Sequence, residues 1–237
     1  MSLNGVYPIF QKWAIQTCWI LSDTHFSDKE LKHRPSDEAI LNNINSCVGK
    51  KDTVIILGDV GNLEYIKKIR AFRKILIMGN HDAGRTNYER KIYKKLYNKS
   101  SYSKEEVLND MSKYYSWKIY KLNIYELPEG FWEVHADNCL FDEVYEGPLV
   151  IGEKLILSHE PLVNINWAFN LHGHVHSKAK KNDNLHYNFC LEAIDYKPIN
   201  LNRWLKDGHT SKVQTIHRTT IDKATKRKRS KNDSKRS

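Results

Sequence analysis

The chain has 237 residues, of which 40% are hydrophobic and 28% are charged, a composition typical of one soluble globular domain with a sizeable core. Its longest early apolar run is too short and too polar to span a membrane, and it lacks the cleavage site of a secretory signal. The four cysteines, Cys18, Cys47, Cys139 and Cys190, are too widely spaced for a disulfide framework or a thiolate zinc site. We therefore expect a cytoplasmic protein with reduced thiols.

The formal net charge of +10 is concentrated at the end of the chain, where residues 222–237 hold eight Lys or Arg against two Asp. This end has no apolar periodicity, so we predict a domain over 1–205 followed by a basic, disordered tail over 206–237. Such a tail can bind polyanions through counterion release. A solvated terminus without a function is an equally good interpretation.

Apolar runs and helical patterns alternate through the first part of the chain. Runs over 17–21, 54–57 and 75–78 predict buried strands, because each run is apolar along its whole length. Between them, helices are predicted over about 36–48, behind an N-cap serine, and over about 63–72. The order of strands and helices predicts an α/β sheet that is covered by helices on both faces.

Residues of about 83–149 form an insert that is rich in Lys, Tyr, Asn and Glu. Capping boxes at Thr86–Glu89 and Ser103–Glu106 each predict a helix, the first with apolar residues between 92 and 97. The tyrosines on these helices could stack on nucleic acid, but an amphipathic packing face explains them more simply. Residues 131–150 alternate loosely and predict strands or a hairpin.

Metal-binding side chains follow five of the predicted strands, the last two of which run to Ser158 and Leu171. Those side chains are Asp23 and His25, Asp59, Asn80, His159, and His174 with His176. Because sites in open α/β sheets form outside the carboxyl ends of strands, we expect these seven side chains to lie close together. Seven ligands of carboxylate, amide and imidazole type are too many for one tetrahedral zinc and suit two ions that share a bridging ligand.

Five short motifs occur in a fixed order along the chain. They are Asp23-Thr24-His25, Gly58-Asp59, Gly79-Asn80-His81-Asp82, His159 and Gly173-His174-Val175-His176. In these motifs the sequence, over about 17–198, resembles the calcineurin-like metallophosphoesterases. The resemblance implies a four-layer α/β/β/α sandwich, a dinuclear metal site, and hydrolysis of a phosphate monoester or diester by attack of a metal-bound hydroxide.

The resemblance also implies which side chains hold each ion. The ligands of the first ion would be Asp23, His25 and His176, and those of the second would be Asn80, His159 and His174. Asp59 would bridge the two ions. Oxygen ligands mixed with imidazole favour manganese among divalent ions, with iron, zinc, cobalt and nickel as alternatives.

Two further residues receive catalytic roles from the resemblance. His81 would stabilise the phosphoryl oxygens or protonate the leaving group, and Asp82 would orient its imidazole. No role transfers to His172, for which packing or support of a ligand is a better interpretation than an eighth ligand. Arg85 could grip a phosphate, although a solvent-facing arginine explains it more simply.

Three functions fit these residues. The first is a phosphoesterase that acts on a small phosphorylated or nucleotide substrate, because Val60-Gly61-Asn62 replaces the Asp-Arg-Gly of protein phosphatases and the chain looks more like small prokaryotic or phage-type enzymes. The second is a nuclease or RNA-end phosphatase that holds nucleic acid with the basic tail. The third is a non-catalytic interaction scaffold, which the intact ligand set argues against. The sequence does not fix the oligomeric state.

Overall fold

The computed structural model describes residues 17–114, 121–151, 154–176 and 182–214, which form three sheets and four α-helices. The strands are β1 Cys18–Leu21, β2 Thr53–Ile56, β3 Arg73–Ile77, β4 Ile92–Asn98, β5 Lys121–Leu127, β6 Phe131–Asp137, β7 Glu143–Tyr145, β8 Leu149–Ile151, β9 Leu155–Leu157, β10 Phe169–His172, β11 His186–Asn188 and β12 Ile199–Asn200. The helices are α1 Asp37–Cys47, α2 Leu63–Lys68, α3 Lys104–Tyr114 and α4 Leu201–Lys206. None of these described helices is long and apolar enough to cross a membrane.

The first sheet has the order β12-β1-β2-β3-β7, and all its strands except β12 run parallel. Ile20, Ile55 and Ile75 lie side by side in register across its centre and are fully buried. Since parallel strands end at the same edge of a sheet, the loops that follow β1, β2 and β3 meet there. The three predicted strands of this region are confirmed within one or two residues.

The second sheet has the order β11-β10-β9-β8, with β9, β10 and β11 parallel. Its apolar side chains, among them Leu157, Leu171 and Phe169, form one core with Ile20, Ile55 and other residues of the first sheet. Burial of apolar surface between the two sheets fixes them face to face. The carboxyl ends of β9 and β10 thereby reach the same region as those of the first sheet.

Helices α1 and α2 cover the other face of the first sheet. Ile40, Ile44 and Ile66 of these helices pack with Leu21 and Ile56 of the strands in a second core. Helix α1 begins after Ser36, whose side chain accepts a hydrogen bond from a backbone N–H in its first turn, as predicted. The described residues therefore form helix, sheet and sheet layers. They fit the predicted α/β fold without establishing the fourth, helical layer.

The predicted helix over residues 92–97 is wrong, because these residues form strand β4. They pair along their whole length with β6, which in turn pairs with β5, a strand that the sequence pattern did not reveal. The capping box at Thr86–Glu89 overlaps only a 3₁₀ turn at Arg85–Asn87. Isoleucine and tyrosine suit strands, and seven ladder pairs with β6 outweigh the local helical signal.

The second capping box is confirmed. Ser103 Oγ accepts the backbone N–H of Glu106, and the Glu106 carboxylate accepts the backbone N–H of Ser103. Helix α3 follows and packs Val107 and Met111 against Val134 of β6, in a small core of its own. Tyr97 is buried in the same core, which supports packing rather than base stacking as the role of this ring.

Ordered packing at the end of the domain runs past the predicted boundary at 205. Val213 is buried in the core between the sheets, together with Trp204 of α4. The Trp204 ring contacts Phe169 and Phe189 edge to face. Residues 215–237, which hold most of the predicted tail, lie outside the described residues.

The third sheet has the order β4-β6-β5. A network of charged groups attaches it to the first sheet. The Lys74 ammonium of β3 is buried and donates hydrogen bonds to the carbonyl oxygens of Ile66 and Cys139, at 2.8 and 2.6 Å. Arg90 joins Asp137 at the end of β6 to Asp142, the residue before β7, with ion pairs of 2.5 and 2.7 Å. Burial lowers the pKa of Lys74 to about 8.

The lowered pKa predicts a rise in stability at alkaline pH. Because Lys74 has a pKa of about 8 in the folded chain and 10.5 as its ordinary value, the unfolded chain binds more protons between these pH values. The free energy of unfolding of the wild type should therefore gain up to about 3 kcal/mol over Lys74→Met as pH rises through this window. Urea unfolding of both proteins from pH 7 to 11 measures the difference. Parallel curves would contradict the prediction.

Candidate metal centre

The loops that follow β1, β2, β9 and β10 are joined by backbone hydrogen bonds at one edge of the molecule. The N–H of Asp23 donates to Gly58 O at 3.1 Å, and the N–H of His25 donates to Asp59 O at 2.8 Å. The N–H of Gly173 donates to His159 O, also at 2.8 Å. These bonds hold the predicted ligands in one place although they are far apart in the chain.

One group of side chains surrounds Asp23. Its Oδ1 atom lies 3.8 Å from His25 Nε2 and 3.3 Å from His176 Nε2. All three ligand atoms lie within 4.8 Å of one another, close enough to hold one metal ion. This group is the set that the resemblance assigns to the first ion.

A second group surrounds His159. Its Nε2 atom lies 2.8 Å from Asn80 Oδ1, and His174 Nδ1 lies 3.1 Å from the same oxygen. Asp59 Oδ2 stands between the two groups, 3.2 Å from His159 Nε2 and 3.4 Å from His25 Nε2. The structure thus brings all seven predicted ligands together, with Asp59 between the two groups. Their role as ligands remains a prediction.

Two atoms of the first group point to a cation. Asp23 Oδ1 and His25 Nε2 are buried, and neither has a hydrogen-bond partner in the described structure. A buried polar atom without a partner costs about 1–3 kcal/mol, and more when it is charged. A divalent ion between these atoms would supply the missing interaction. The carboxylate, amide and imidazole donors also fit such an ion.

Further contacts aim the ligand atoms at this space. Asp23 Oδ2 accepts hydrogen bonds from the His174 N–H at 2.9 Å and from Cys190 Sγ at 3.1 Å, which leaves Oδ1 facing the centre. His159 Nδ1 donates to Leu57 O at 2.7 Å, so that its Nε2 carries the free lone pair. Sequence reasoning missed Cys190, because no local pattern indicates a thiol that touches a ligand 167 positions away.

The carboxylates of Asp23 and Asp59 are held as anions. Burial opposes the ionisation of Asp59, but the close contacts of its carboxylate with the imidazoles of His159 and His25 outweigh burial and lower its pKa. Burial also opposes the ionisation of Asp23, whose pKa is lowered mainly by His176. Contacts with Asp23 and then Glu192 raise the pKa of His176 to about 10. Since a metal ligand must be deprotonated, ion binding at this histidine would release a proton.

The ligand loops have a strained backbone. Asp23, His25, Asp59 and His174 have φ values of 58°, 38°, 52° and 66°, in the left-handed region that side chains with a Cβ rarely adopt. Each such residue costs on the order of 1–3 kcal/mol, and such strain clusters at functional sites. Four of the seven predicted ligands have this backbone strain, which supports a functional role for these loops.

Glycines let the loops approach one another. A Cβ atom on Gly79 would overlap Asp59 Oδ1, and one on Gly173 would overlap Ser22 Oγ and Asp23 Oδ2. A Cβ atom on Gly58 would lie 2.6 Å from His159 Nδ1, and Gly58 also has a φ of +91°. The glycine in each of these motifs is therefore required by close packing around the ligands.

Comparison with known proteins identifies the family of the chain. The family model described as calcineurin-like phosphoesterase matches residues 17–217. The chain belongs to the calcineurin-like phosphoesterase family. The match confirms the predicted resemblance and supports a metal-dependent phosphoesterase in general.

Among curated proteins no significant match was found. A crystal structure of a protein of unknown function from Aquifex aeolicus aligns with 23% identity and a TM-score of 0.48, over 80% of this chain and 98% of that chain.

The chain presents His81 at the exposed side of the two groups. His81 is exposed, and its ring lies edge-on to that of His25 with 5.4 Å between the centroids. Its backbone N–H donates to Asp59 Oδ1 at 2.9 Å and so helps to hold the bridging carboxylate. The imidazole itself is open to solvent beside the predicted ligands.

Asp82 organises the backbone around the two groups. Its carboxylate accepts hydrogen bonds from the N–H groups of Gly79, Asp59 and Val60, at 2.9, 3.0 and 3.2 Å. The described hydrogen bonds of Asp82 therefore tie the second and third motifs together. Orientation of the His81 imidazole is not among them and stays a prediction.

Two other residues lie outside the predicted ligand set. His172 is buried, and its Nδ1 donates to Gly173 O at 2.9 Å, which agrees with a packing role. Arg85 is half exposed and pairs with Glu89, as expected of a solvent-facing arginine.

The glycine packing gives a direct test of the centre. Gly173→Ala should reduce Mn²⁺ binding at least tenfold, because the new methyl group displaces Asp23 from its position. Gly147→Ala is the control, since a Cβ atom there has nothing within 4 Å. Calorimetric titration with Mn²⁺ compares the two variants with the wild type. Equal binding by all three proteins would contradict the packing argument.

Proposed function

We propose that the chain is a dinuclear-metal-dependent phosphoesterase that hydrolyses a phosphate monoester or diester of a small molecule or nucleotide. The observation that carries the proposal is the position of Asp59 Oδ2, between the groups around Asp23 and His159. A single buried carboxylate oxygen within 3.4 Å of ligand atoms on both sides is what a bridged pair of ions needs.

The residues divide into two ligand sets and a bridge. Asp23, His25 and His176 would hold the first ion, and Asn80, His159 and His174 the second, with Asp59 shared. Bound divalent ions supply a nucleophile from water at neutral pH and neutralise charge on the phosphoryl oxygens. The mixture of oxygen and imidazole donors supports manganese among the candidates.

His81 is the residue for proton transfer or phosphoryl contact. Its imidazole is exposed beside the ligand set, whereas those of His25 and His159 are buried among ligand atoms. From this position it can donate a proton to the leaving group or a hydrogen bond to a phosphoryl oxygen. Asp82 supports the same loop through its backbone hydrogen bonds.

A cavity of about 270 Å³ beside the second ligand set supports a small substrate. Asn80 and His159 form its inner wall, and Glu146 and Glu160 are among its other polar residues. None of the described residues that line it is a Lys or Arg. Because a chain of phosphates would be repelled by the two carboxylates, the cavity favours a small ester substituent over a nucleic-acid strand.

Activity on two chromogenic esters tests the proposal. The wild type with Mn²⁺ should hydrolyse bis-p-nitrophenyl phosphate or p-nitrophenyl phosphate, and the ratio of the two rates reports diester or monoester preference. His81→Ala should lose roughly 10²–10⁴-fold in kcat, the range of general acid catalysis, and Asp59→Asn should lose at least as much. Glu64→Gln, on the exposed side of α2, should retain full activity. No turnover by the metal-loaded wild type would overturn the proposed function.

The alternative function, as a nuclease or RNA-end phosphatase, is favoured by the basic charge of residues 222–237 alone. We expect that a chain ending at residue 221 hydrolyses the small ester as fast as the full chain. Binding of single-stranded RNA, measured by fluorescence anisotropy over a range of salt concentrations, compares the two chains. If removal of the tail both flattens the salt dependence and abolishes hydrolysis of RNA, the alternative replaces the small-substrate proposal.

A further inference from the structure

In the first ligand set, the Nδ1 atom of each histidine lies close to a carboxylate that is not itself a predicted ligand. His25 Nδ1 lies 3.2 Å from Asp28 Oδ2, and His176 Nδ1 lies 3.4 Å from Glu192 Oε2. In each ring the other nitrogen, Nε2, faces Asp23 Oδ1. Neither Asp28 nor Glu192 belongs to the five sequence motifs.

The second ligand set is supported by uncharged groups. Behind the His159 ring stands a carbonyl oxygen, Leu57 O, at 2.7 Å. Asn80, which faces both His159 and His174, is itself neutral. The first set therefore has two more negative charges in contact with its ligands than the second set has, among the described residues.

Local structure holds each carboxylate in place. The backbone N–H of Asp28 donates to His25 O at 3.1 Å, and Asp28 Oδ1 accepts the N–H of Glu30 at 2.8 Å. Glu192 lies in a 3₁₀ turn over Leu191–Ile194, and the Leu191 N–H donates to Ser22 O at 3.2 Å. Both carboxylates are thus tied to the loop that carries Asp23 and His25.

Burial of Glu192 adds a second observation. Its Oε2 atom is buried and makes no hydrogen bond in the described structure, although it lies at ion-pair distance from the His176 ring. This oxygen is stabilised when His176 carries its proton on Nδ1 and donates it to Glu192 Oε2. That tautomer leaves the Nε2 lone pair free for a cation beside Asp23.

The geometry assigns Asp28 and Glu192 as positioning residues that orient His25 and His176 and make the first metal site the tighter of the two. A carboxylate behind an imidazole fixes its tautomer and raises the basicity of the ligating nitrogen, and loss of such a partner costs about 10–100-fold in metal affinity. The inference rests on the proposed dinuclear function and goes beyond it, because it predicts that the two ions bind unequally.

Calorimetric titration of the chelator-treated full chain with Mn²⁺ tests the inference. The wild type should bind two ions in two resolved steps. Glu192→Gln and Asp28→Asn should each weaken the tighter step by about 10–100-fold and leave the weaker step unchanged. The double variant should bind both ions with similar affinity.

Asp183→Asn is the matched control. It removes a carboxylate that lies 2.9 Å from a histidine nitrogen, His186 Nδ1, outside the predicted ligand set. It should titrate like the wild type. The thermal unfolding midpoint of each metal-free protein monitors folding. If Glu192→Gln does not fold, Asp28→Asn, at a partly exposed position, tests the inference alone.

Two results would overturn the inference, and they are distinguishable. If both variants titrate like the wild type while the metal-free midpoint falls, Asp28 and Glu192 stabilise the fold and do not position ligands, and the proposed function stands. If the wild type itself binds fewer than two ions, the dinuclear centre fails and the inference fails with it.

Discussion

The close approach of strand-end loops is the constraint on which the rest of the centre depends. Seven polar side chains reach one another only because Gly58, Gly79 and Gly173 have no Cβ atom where the neighbouring loop passes. The same crowding holds Asp23 and Asp59 in left-handed backbone conformations and takes their carboxylates out of water. Backbone strain and the burial of charge both oppose folding. A cation between the carboxylates would offset the cost of burying their charge.

Much of the fold and most of the candidate site could be predicted from the sequence, because one physical rule links them. Apolar runs identify buried parallel strands, and parallel strands end at a common edge. Asp59 and Asn80 follow β2 and β3 directly, so that rule alone brings them together, and the structure places them as expected. The family match then supports the metal-dependent chemistry.

The remaining features could not be predicted, for two physical reasons. Strand β4 depends on pairing with β6 about forty residues further on, whereas a capping box reports only local hydrogen bonds. The groups behind the ligands depend on contacts between distant segments: Cys190 meets Asp23, and Glu192 meets His176, without any shared motif. Sequence patterns describe neighbours along the chain, and these features are made by neighbours in space.

The third sheet, which consists of β4, β6 and β5, forms with helix α3 a unit whose apolar core is separate from the two cores of the main sheets. Val107, Met111 and Val134 pack with one another in this unit, while charged groups around Lys74 and Arg90 join it to the first sheet. A unit with its own core can change locally while the cores of the two main sheets stay packed. Insertions, deletions or exchanges in this unit can therefore leave the loops that carry the predicted ligands in their present shape.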